Sequence, residues 1–259
     1  MTALLERVLE RAVRQGVRVG AIGVGVPGTV DPATGVIVES HHTAELTGQC
    51  LGRALGARFA LPTFVDNDVN ALALSEWMFG LGRGARSLVV LATGTGIGAG
   101  IVLDGRLVRG SAGYAGEFGH ASVRFEGRRC WCGGHGCLVV YASGRGIAEA
   151  AGGRAAPHVF QAAEAGEAAA GAVIDEACDA LGAMIGTIVN GLNPDVVVVT
   201  GGVAAAYAAR EARVLRSAGR HVLALALART RIAIVPGDKL ATVRGPAALA
   251  FYETEALAS

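Results

Sequence analysis

An imidazole and three thiols with the spacing of metal ligands lie within eighteen residues: His120, Cys130, Cys132 and Cys137, the last three in the run C-W-C-G-G-H-G-C. Zinc takes such soft and borderline ligands at the corners of a tetrahedron. A C-x-C pair can clamp two corners, and Gly133, Gly134 and Gly136 let the backbone reverse so that Cys137 reaches a third. The other reading makes these thiols unrelated small core residues. Three of the chain's five cysteines stand within eight positions, and that clustering favours the metal. Closed sites of one histidine and three cysteines are structural as a rule, so the metal by itself names no reaction. It would order what surrounds it. His120 closes the run G-E-F-G-H at 116–120, so a metal that fixes His120 also restrains Glu117, three positions earlier.

Four other runs could do chemistry. Asp66-Asn67-Asp68 ends a predicted strand. A carboxylate there can act as a general base and the adjacent Asn can orient a hydroxyl; alternatively, Asp66 or Asn67 is simply the N-cap of the next helix. Three polar side chains are more than a cap requires. Thr93-Gly94-Thr95-Gly96 turns between two strands, followed by Gly98 and Gly100. Glycines there permit positive φ and close approach of backbone N–H groups to an anion, with the hydroxyls of Thr93 and Thr95 as further donors. A plain hairpin explains the same glycines. The run is no P-loop, since it lacks the lysine and the helix that follows one. Gly201-Gly202 ends a buried strand and opens a helix, a crevice position for nucleotides or merely close helix–strand packing. Gly23-x-Gly25-x-Pro27-Gly28 leads a strand into a turn, which either walls a small polar ligand at Gly28 or is only a turn.

The elements that must position these runs are legible as patterns. Residues 2–15 have apolar positions at helical spacing, with Thr2 able to cap and Gly16 as the stop. A β run over 19–26, a short strand after the turn at 29–37, a helix at 48–57, a strand ending at 66–68 and a helix at 69–80 complete the first part. Strands at 87–92 and 97–103 follow, with the Asp104-Gly105 hairpin leading to Leu107-Val108. Helices are predicted at 143–152, 158–165 and 170–191, then an unbroken valine strand at 195–200, typical of a buried parallel position. Helix over 203–226, a strand at 231–235 and a last helix near 245–257 close the chain. Gly82-Arg83-Gly84 is the best linker, separating a small N-terminal lobe (1–84) from a large C-terminal lobe (85–259), with the last helix packing back on the small lobe.

Composition sets the class: 259 residues, 52% hydrophobic, 5% aromatic and 39 glycines describe an α/β protein with a sizeable core rather than a disordered chain. A net charge of +1 points to no polyanionic partner. Five cysteines, mostly assigned to zinc, point to a reducing cytoplasm, with Cys50 and Cys178 left as structural thiols. There is no basic-then-apolar signal at the N-terminus and no apolar run long enough to span a membrane.

Taken in order, the runs G-V-G-V-P-G-T-V-D at 23–31, D-N-D-V-N-A at 66–71, L-A-T-G-T-G-I-G-A-G at 91–100, G-E-F-G-H at 116–120, C-W-C-G-G-H-G-C at 130–137, Y-A-S-G-R at 141–145 and P-D-V-V-V-V-T-G-G at 194–202 resemble the ROK family of sugar kinases and sugar-responsive repressors. The resemblance covers essentially the whole chain. It implies an α/β, actin-like ATPase (ribonuclease H-like) fold of two lobes, with sugar and ATP in its cleft. The small lobe would supply the sugar side and the base, the large lobe the zinc loop and the nucleotide turns. It implies that Asp68 is the base, that Asn67, Glu117, His120 and Gly28 serve the sugar, and that Thr93, Gly94, Thr95, Gly96, Gly201 and Gly202 serve the nucleotide. Structural Zn²⁺ on His120, Cys130, Cys132 and Cys137, Mg²⁺ with ATP, a cytoplasmic homodimer and no nucleic-acid partner follow from the same likeness. The expected activity is glucokinase-like transfer of the ATP γ-phosphate to a hexose hydroxyl; the alternative is a catalytically impaired sugar-binding or regulatory member. Three departures bear on that choice. The family's first strand pair, with its D-x-G-G-T-type loop, is not in this sequence, so an incomplete N-terminal lobe with a bare sheet edge is expected. Val139 stands where the family motif G-C-x-E has its glutamate. Residues 40–50, S-H-H-T-A-E-L-T-G-Q-C, lack the family's N-L-P-G-W-like pattern.

Overall fold

The computed structural model describes residues 2–40 and 43–258. In chain order its first elements are α1 (Thr2–Arg14), β1 (Ile22–Val26), β2 (Thr29–Val30), β3 (Ile37–Glu39), α2 (Leu51–Phe59), β4 (Thr63–Asn67) and α3 (Asp68–Phe79). Next come β5 (Leu88–Thr93), β6 (Ile97–Leu103), β7 (Arg106–Leu107), α4 (Val139–Ala142), α5 (Gly144–Ala150), α6 (Ala156–Glu164) and α7 (Ala168–Leu192). β8 (Val196–Thr200), α8 (Ala204–Ala208), α9 (Glu211–Arg220), α10 (Ala224–Leu227), β9 (Arg231–Ile234) and α11 (Lys239–Ala258) complete it. The chain divides into two compact units: Met1–Ser75 with Arg109–Tyr114 and Leu240–Ser259, and Glu76–Val108 with Ala115–Lys239. The division falls inside α3, so residues 76–84, placed in the first lobe by the sequence reading, count with the second unit, and α11 counts with the first. His41 and His42, in the stretch that departs from the family pattern, lie outside the described residues.

In the first unit, α1 carries its apolar residues at helical spacing and ends at Gly16 (φ +67°), where the Val17 N–H reaches back to the Ala12 carbonyl. None of its residues is buried. β1 and β4 pair in parallel, Ile22 opposite Thr63 through Val26 opposite Asn67, and β2 pairs antiparallel with β3. Residues 19–21, expected to be strand, precede it: pairing begins where the Ile22 N–H meets the Pro62 carbonyl. Val26, Val30, Ile37, Leu51 and Leu55 form the core. α11 starts at Lys239 rather than near 245, because its backbone continues through Pro246. The Pro246 carbonyl lies so close to β1 that a Cβ added at Gly23 would come within 1.7 Å of it. Only glycine lets the helix sit there.

The second unit is built on a five-stranded sheet in the order β7-β6-β5-β8-β9, with β5, β8 and β9 parallel and β5, β6 and β7 antiparallel. All five residues of β8 are buried, as its valine run requires, and each such valine contributes roughly 1.5–3 kcal/mol of burial. α7 and α9 approach closely: a Cβ at Gly182 would lie 2.5 Å from the Val214 carbonyl. The helix expected over 203–226 is present as three, α8 to α10. The break before α10 has a donor and an acceptor in Asn190 of α7, which accepts the Leu223 N–H at 3.0 Å and donates to the His221 carbonyl at 2.9 Å. Residues 139–142, not foreseen as helix, form α4. Among the described residues no helix is long and apolar enough to cross a membrane.

Candidate functional site

In the first unit the end of β4 carries Asp66, Asn67 and Asp68 on three different errands. Strand alternation turns Asp66 to one face and Asn67 to the other. Asn67 is the N-cap of α3: its Oδ1 accepts the N–H groups of Val69 at 2.8 Å and Asn70 at 3.2 Å. Its Nδ2 donates to the Gly28 carbonyl at 2.9 Å, which brings two of the predicted site residues together. Gly28 has φ +151° and no room for a side chain, since a Cβ would stand 2.2 Å from the Glu39 carbonyl. Asp68 opens α3 with its side chain on the exposed side. Asp66, by contrast, is buried. Its Oδ1 accepts from the Asn67 N–H and from Asn70 Nδ2, and its Oδ2 from Arg109 Nε at 2.6 Å. The Arg109 guanidinium also pairs with Glu253 of α11. Burial works to lower the pKa of Arg109, but the two carboxylates outweigh it and the net shift is upward. Arg109 and Glu253 were missed by the sequence reading.

In the second unit two glycine turns meet at the carboxyl ends of the parallel strands β5 and β8. The Val203 N–H donates to the Thr93 carbonyl at 3.0 Å. Gly201 (φ +110°) is obligatory, because a Cβ would lie 2.5 Å from the Thr93 carbonyl oxygen. Gly94, Gly96 and Gly202 differ: a Cβ on any of them would meet nothing within 4 Å. They face open space, and none of the three has the positive φ expected for such a turn. Thr95 is exposed, whereas Thr93 is buried and gives its hydroxyl to the Thr200 carbonyl at 3.1 Å, tying β5 to β8. The start of α5 closes one side of the turn, the Gly144 N–H on the Gly94 carbonyl at 2.8 Å and the Arg145 N–H on the Thr95 carbonyl at 3.3 Å. Such a place, outside the carboxyl ends of parallel strands with open backbone in front, suits a phosphate-bearing ligand.

β6 leads from that turn to the four predicted metal ligands. The short 3₁₀ turn Glu117–His120 lies on β6, where a Cβ at Gly116 or Gly119 would strike the carbonyls of Ala99 or Ile97 at 2.2 and 2.1 Å. Glu117 is exposed at its start and His120 stands at its end. The ligand atoms of His120, Cys130, Cys132 and Cys137 all lie within 4.8 Å of one another. Cys130 Sγ is 3.6 Å from His120 Nδ1, and Cys132 Sγ is 3.7 Å from Cys137 Sγ. Bonds of about 2.0–2.3 Å to a tetrahedral ion give edges of about 3.5–3.8 Å, so the arrangement fits one. The loop is held by backbone pairing of Cys130 with Gly134 and by Gly136 (φ +68°), where a Cβ would overlap the Arg124 carbonyl. Burial pushes the Cys137 thiol up to about 12 and raises that of Cys130; the Gly134 N–H lowers that of Cys132. A bound cation would displace those protons.

A family model described as ROK family matches residues 1–252. A glucokinase of Halalkalibacterium halodurans is 38% identical over 207 residues, 71% of this chain and 62% of that protein. A xylose repressor of Caldicellulosiruptor bescii is 30% identical over 214 residues, 76% of this chain and 53% of the repressor. The chain thus spans between about half and under two thirds of these two relatives. The crystal structure of a ROK hexokinase from Thermus thermophilus superposes with a TM-score of 0.84 at 31% identity, covering 95% of this chain and 84% of that one. The fold is the actin-like ATPase α/β fold expected from the motifs.

Proposed function

Because the chain belongs to the ROK family, we propose that it is an ATP-dependent sugar kinase, glucokinase-like, that moves the γ-phosphate of ATP to a hexose hydroxyl. The observation that carries the reading is the open turn of Gly94, Thr95, Gly96 and Gly202 at the ends of β5 and β8, in a chain that also presents the capped Asn67-Asp68 pair. In this reading the first unit is the sugar lobe with the base, and the second carries the nucleotide turns and the metal loop.

Asp68 accepts the proton of the attacking sugar hydroxyl. Asn67, locked by its cap and by Gly28, fixes where that carboxylate stands. Glu117 and His120 hold further sugar hydroxyls. Thr95 and the backbone of 93–96 and 201–202 receive the phosphates, Thr93 contributing through its main chain since its hydroxyl is already bonded. Mg²⁺ bound with ATP would neutralise phosphate charge, and phosphoryl transfer then depends on positioning and electrostatics. The His120, Cys130, Cys132 and Cys137 set would hold a structural Zn²⁺ that keeps the 117–120 turn in place. A cytoplasmic homodimer is the assembly that goes with this reading.

The test is ATP consumption against a panel of hexoses and N-acetylhexosamines with Mg²⁺ and Zn²⁺ present, Asp68→Asn alongside. Turnover with one sugar class, lost by about 10²–10⁴-fold in the variant, is expected; equal turnover by Asp68→Asn would sink the assigned base. A second reading rests on Val139, which is buried in the core of the second unit and offers no acceptor where the family motif has a glutamate. It makes the chain a sugar-binding regulatory member, and calorimetric sugar binding without turnover across the panel would favour it.

A further inference from the structure

Within the second unit, two features described separately touch through a pair of side chains. Trp131 stands between the metal ligands Cys130 and Cys132, and the Arg145 guanidinium lies over its indole ring at 4.1 Å from the centroid. Arg145 is the second residue of α5, and its own N–H donates to the Thr95 carbonyl while the preceding Gly144 N–H donates to Gly94. The contact is close: a Cβ on Gly144 would lie 3.1 Å from the Gly94 carbonyl oxygen and 3.4 Å from Val203 Cγ2. Ser143, fully buried, caps α5 by accepting the Gly146 N–H at 2.9 Å, so the first turn of this helix has little freedom of its own. Movement of the Arg145 main chain is therefore movement of the 94–95 backbone. The remaining partner of the guanidinium is Glu149 at 2.7 Å, one turn along, an exposed pair of the kind that contributes little.

We propose that the Trp131–Arg145 stack couples the metal loop to the phosphate turn, making Arg145 a positioning residue for nucleotide binding and making nucleotide affinity depend on whether the metal loop is formed. The inference rests on the kinase reading, because it takes the 93–96 turn as the nucleotide site. A planar guanidinium on an indole face is a directional contact that lysine or glutamine does not reproduce. The metal fixes Cys130 and Cys132, hence the ring between them; the ring fixes Arg145; Arg145 and Gly144 fix the carbonyls of Thr95 and Gly94. The sugar-side residue Glu117 reaches the metal by a different route, through His120, so the two substrates should respond differently when the stack alone is removed.

The experiment measures binding of MgADP and of glucose by calorimetry, with metal content by atomic absorption, in the full chain and in Trp131→Ala, Trp131→Phe, Arg145→Gln and Glu149→Gln. Trp131→Ala and Arg145→Gln should each weaken MgADP about threefold to tenfold, with glucose affinity and metal content unchanged. Trp131→Phe should recover most of the loss, Glu149→Gln should show none, and the double variant of Trp131 and Arg145 should be no worse than either single one. Chelator-stripped wild type should lose MgADP affinity by at least as much. Unchanged MgADP affinity in Arg145→Gln, or a parallel fall in glucose affinity, overturns the coupling while leaving the kinase reading intact. Failure of the wild-type chain to bind MgADP at all overturns the kinase reading, and the coupling with it.

Discussion

β8, which ends at Thr200 just before Gly201, has a strand on each side and five buried residues, while β4, which ends at Asn67, pairs among the described residues with β1 alone and buries only Asp66. The second unit positions its candidate turn with an apolar sheet. The first positions its polar triplet with charge: Asp66 holds the Asn67 N–H and Asn70, Arg109 holds Asp66, and Glu253 holds Arg109. A buried ionic arrangement adds little net stability compared with an apolar one of the same shape, but losing one member leaves the rest uncompensated. The lesson is that the two units should fail in different ways.

Arg109→Leu is the sharpest way to break the comparison. It should cost about 3–5 kcal/mol in urea unfolding, since Asp66 and Glu253 lose their cation. Val198→Ala in the middle of β8 should cost less, about 2 kcal/mol, because the sheet around it stays paired. The reverse order would mean that β4 is held by something other than its ion pairs. The α7–α9 layer of the second unit gives a pH signature. Burial pushes the Cys178 thiol from its ordinary 9.0 up to about 12, so the neutral form is the one that suits the fold. Its contribution is fully present below about pH 9 and is lost as pH rises toward 12. Urea midpoints measured across that window should fall in the wild type and fall less in Cys178→Ala. The smallest effect is expected at Thr93→Val: about 1 kcal/mol for the lost bond to the Thr200 carbonyl, with MgADP affinity unchanged by calorimetry. A large fall in affinity would show that the Thr93 hydroxyl serves the ligand after all.

What could be read in advance was whatever depends on residues near one another in the chain. The valine run of β8, the hairpin turn at Asp104-Gly105 and the clustering of His120, Cys130, Cys132 and Cys137 all carry their determinants locally, and each lies where its pattern placed it. The errors have long-range causes. The break between α9 and α10 depends on Asn190, which reaches Leu223 from 33 residues away. The Asp66–Arg109 pair spans 43 residues and the Arg109–Glu253 pair 144, with no spacing rule to join them. Of the two freedoms that the glycines of the 93–96 turn offer, positive φ goes unused and the uncovered backbone is the one present, a choice that only neighbouring elements can reveal. In Asp66-Asn67-Asp68 the pattern offers Asp66 or Asn67 as the N-cap of α3; Asn67 is the cap, and the buried place of Asp66 beside Arg109 depends on a residue 43 positions away.

The placement of α11 also has a consequence for how the chain is made. The Gly23–Pro246 contact and the Arg109–Glu253 pair join the earliest part of the first unit to its last helix, whereas every residue of the second unit has been synthesised by Lys239. On a ribosome adding about 5–20 residues per second, residues 1–75 therefore wait roughly ten to forty seconds for the helix that completes their fold. The unit made later in this order can therefore finish first, while β1 and β4 are still open to other partners, which is when a chaperone would have most to protect.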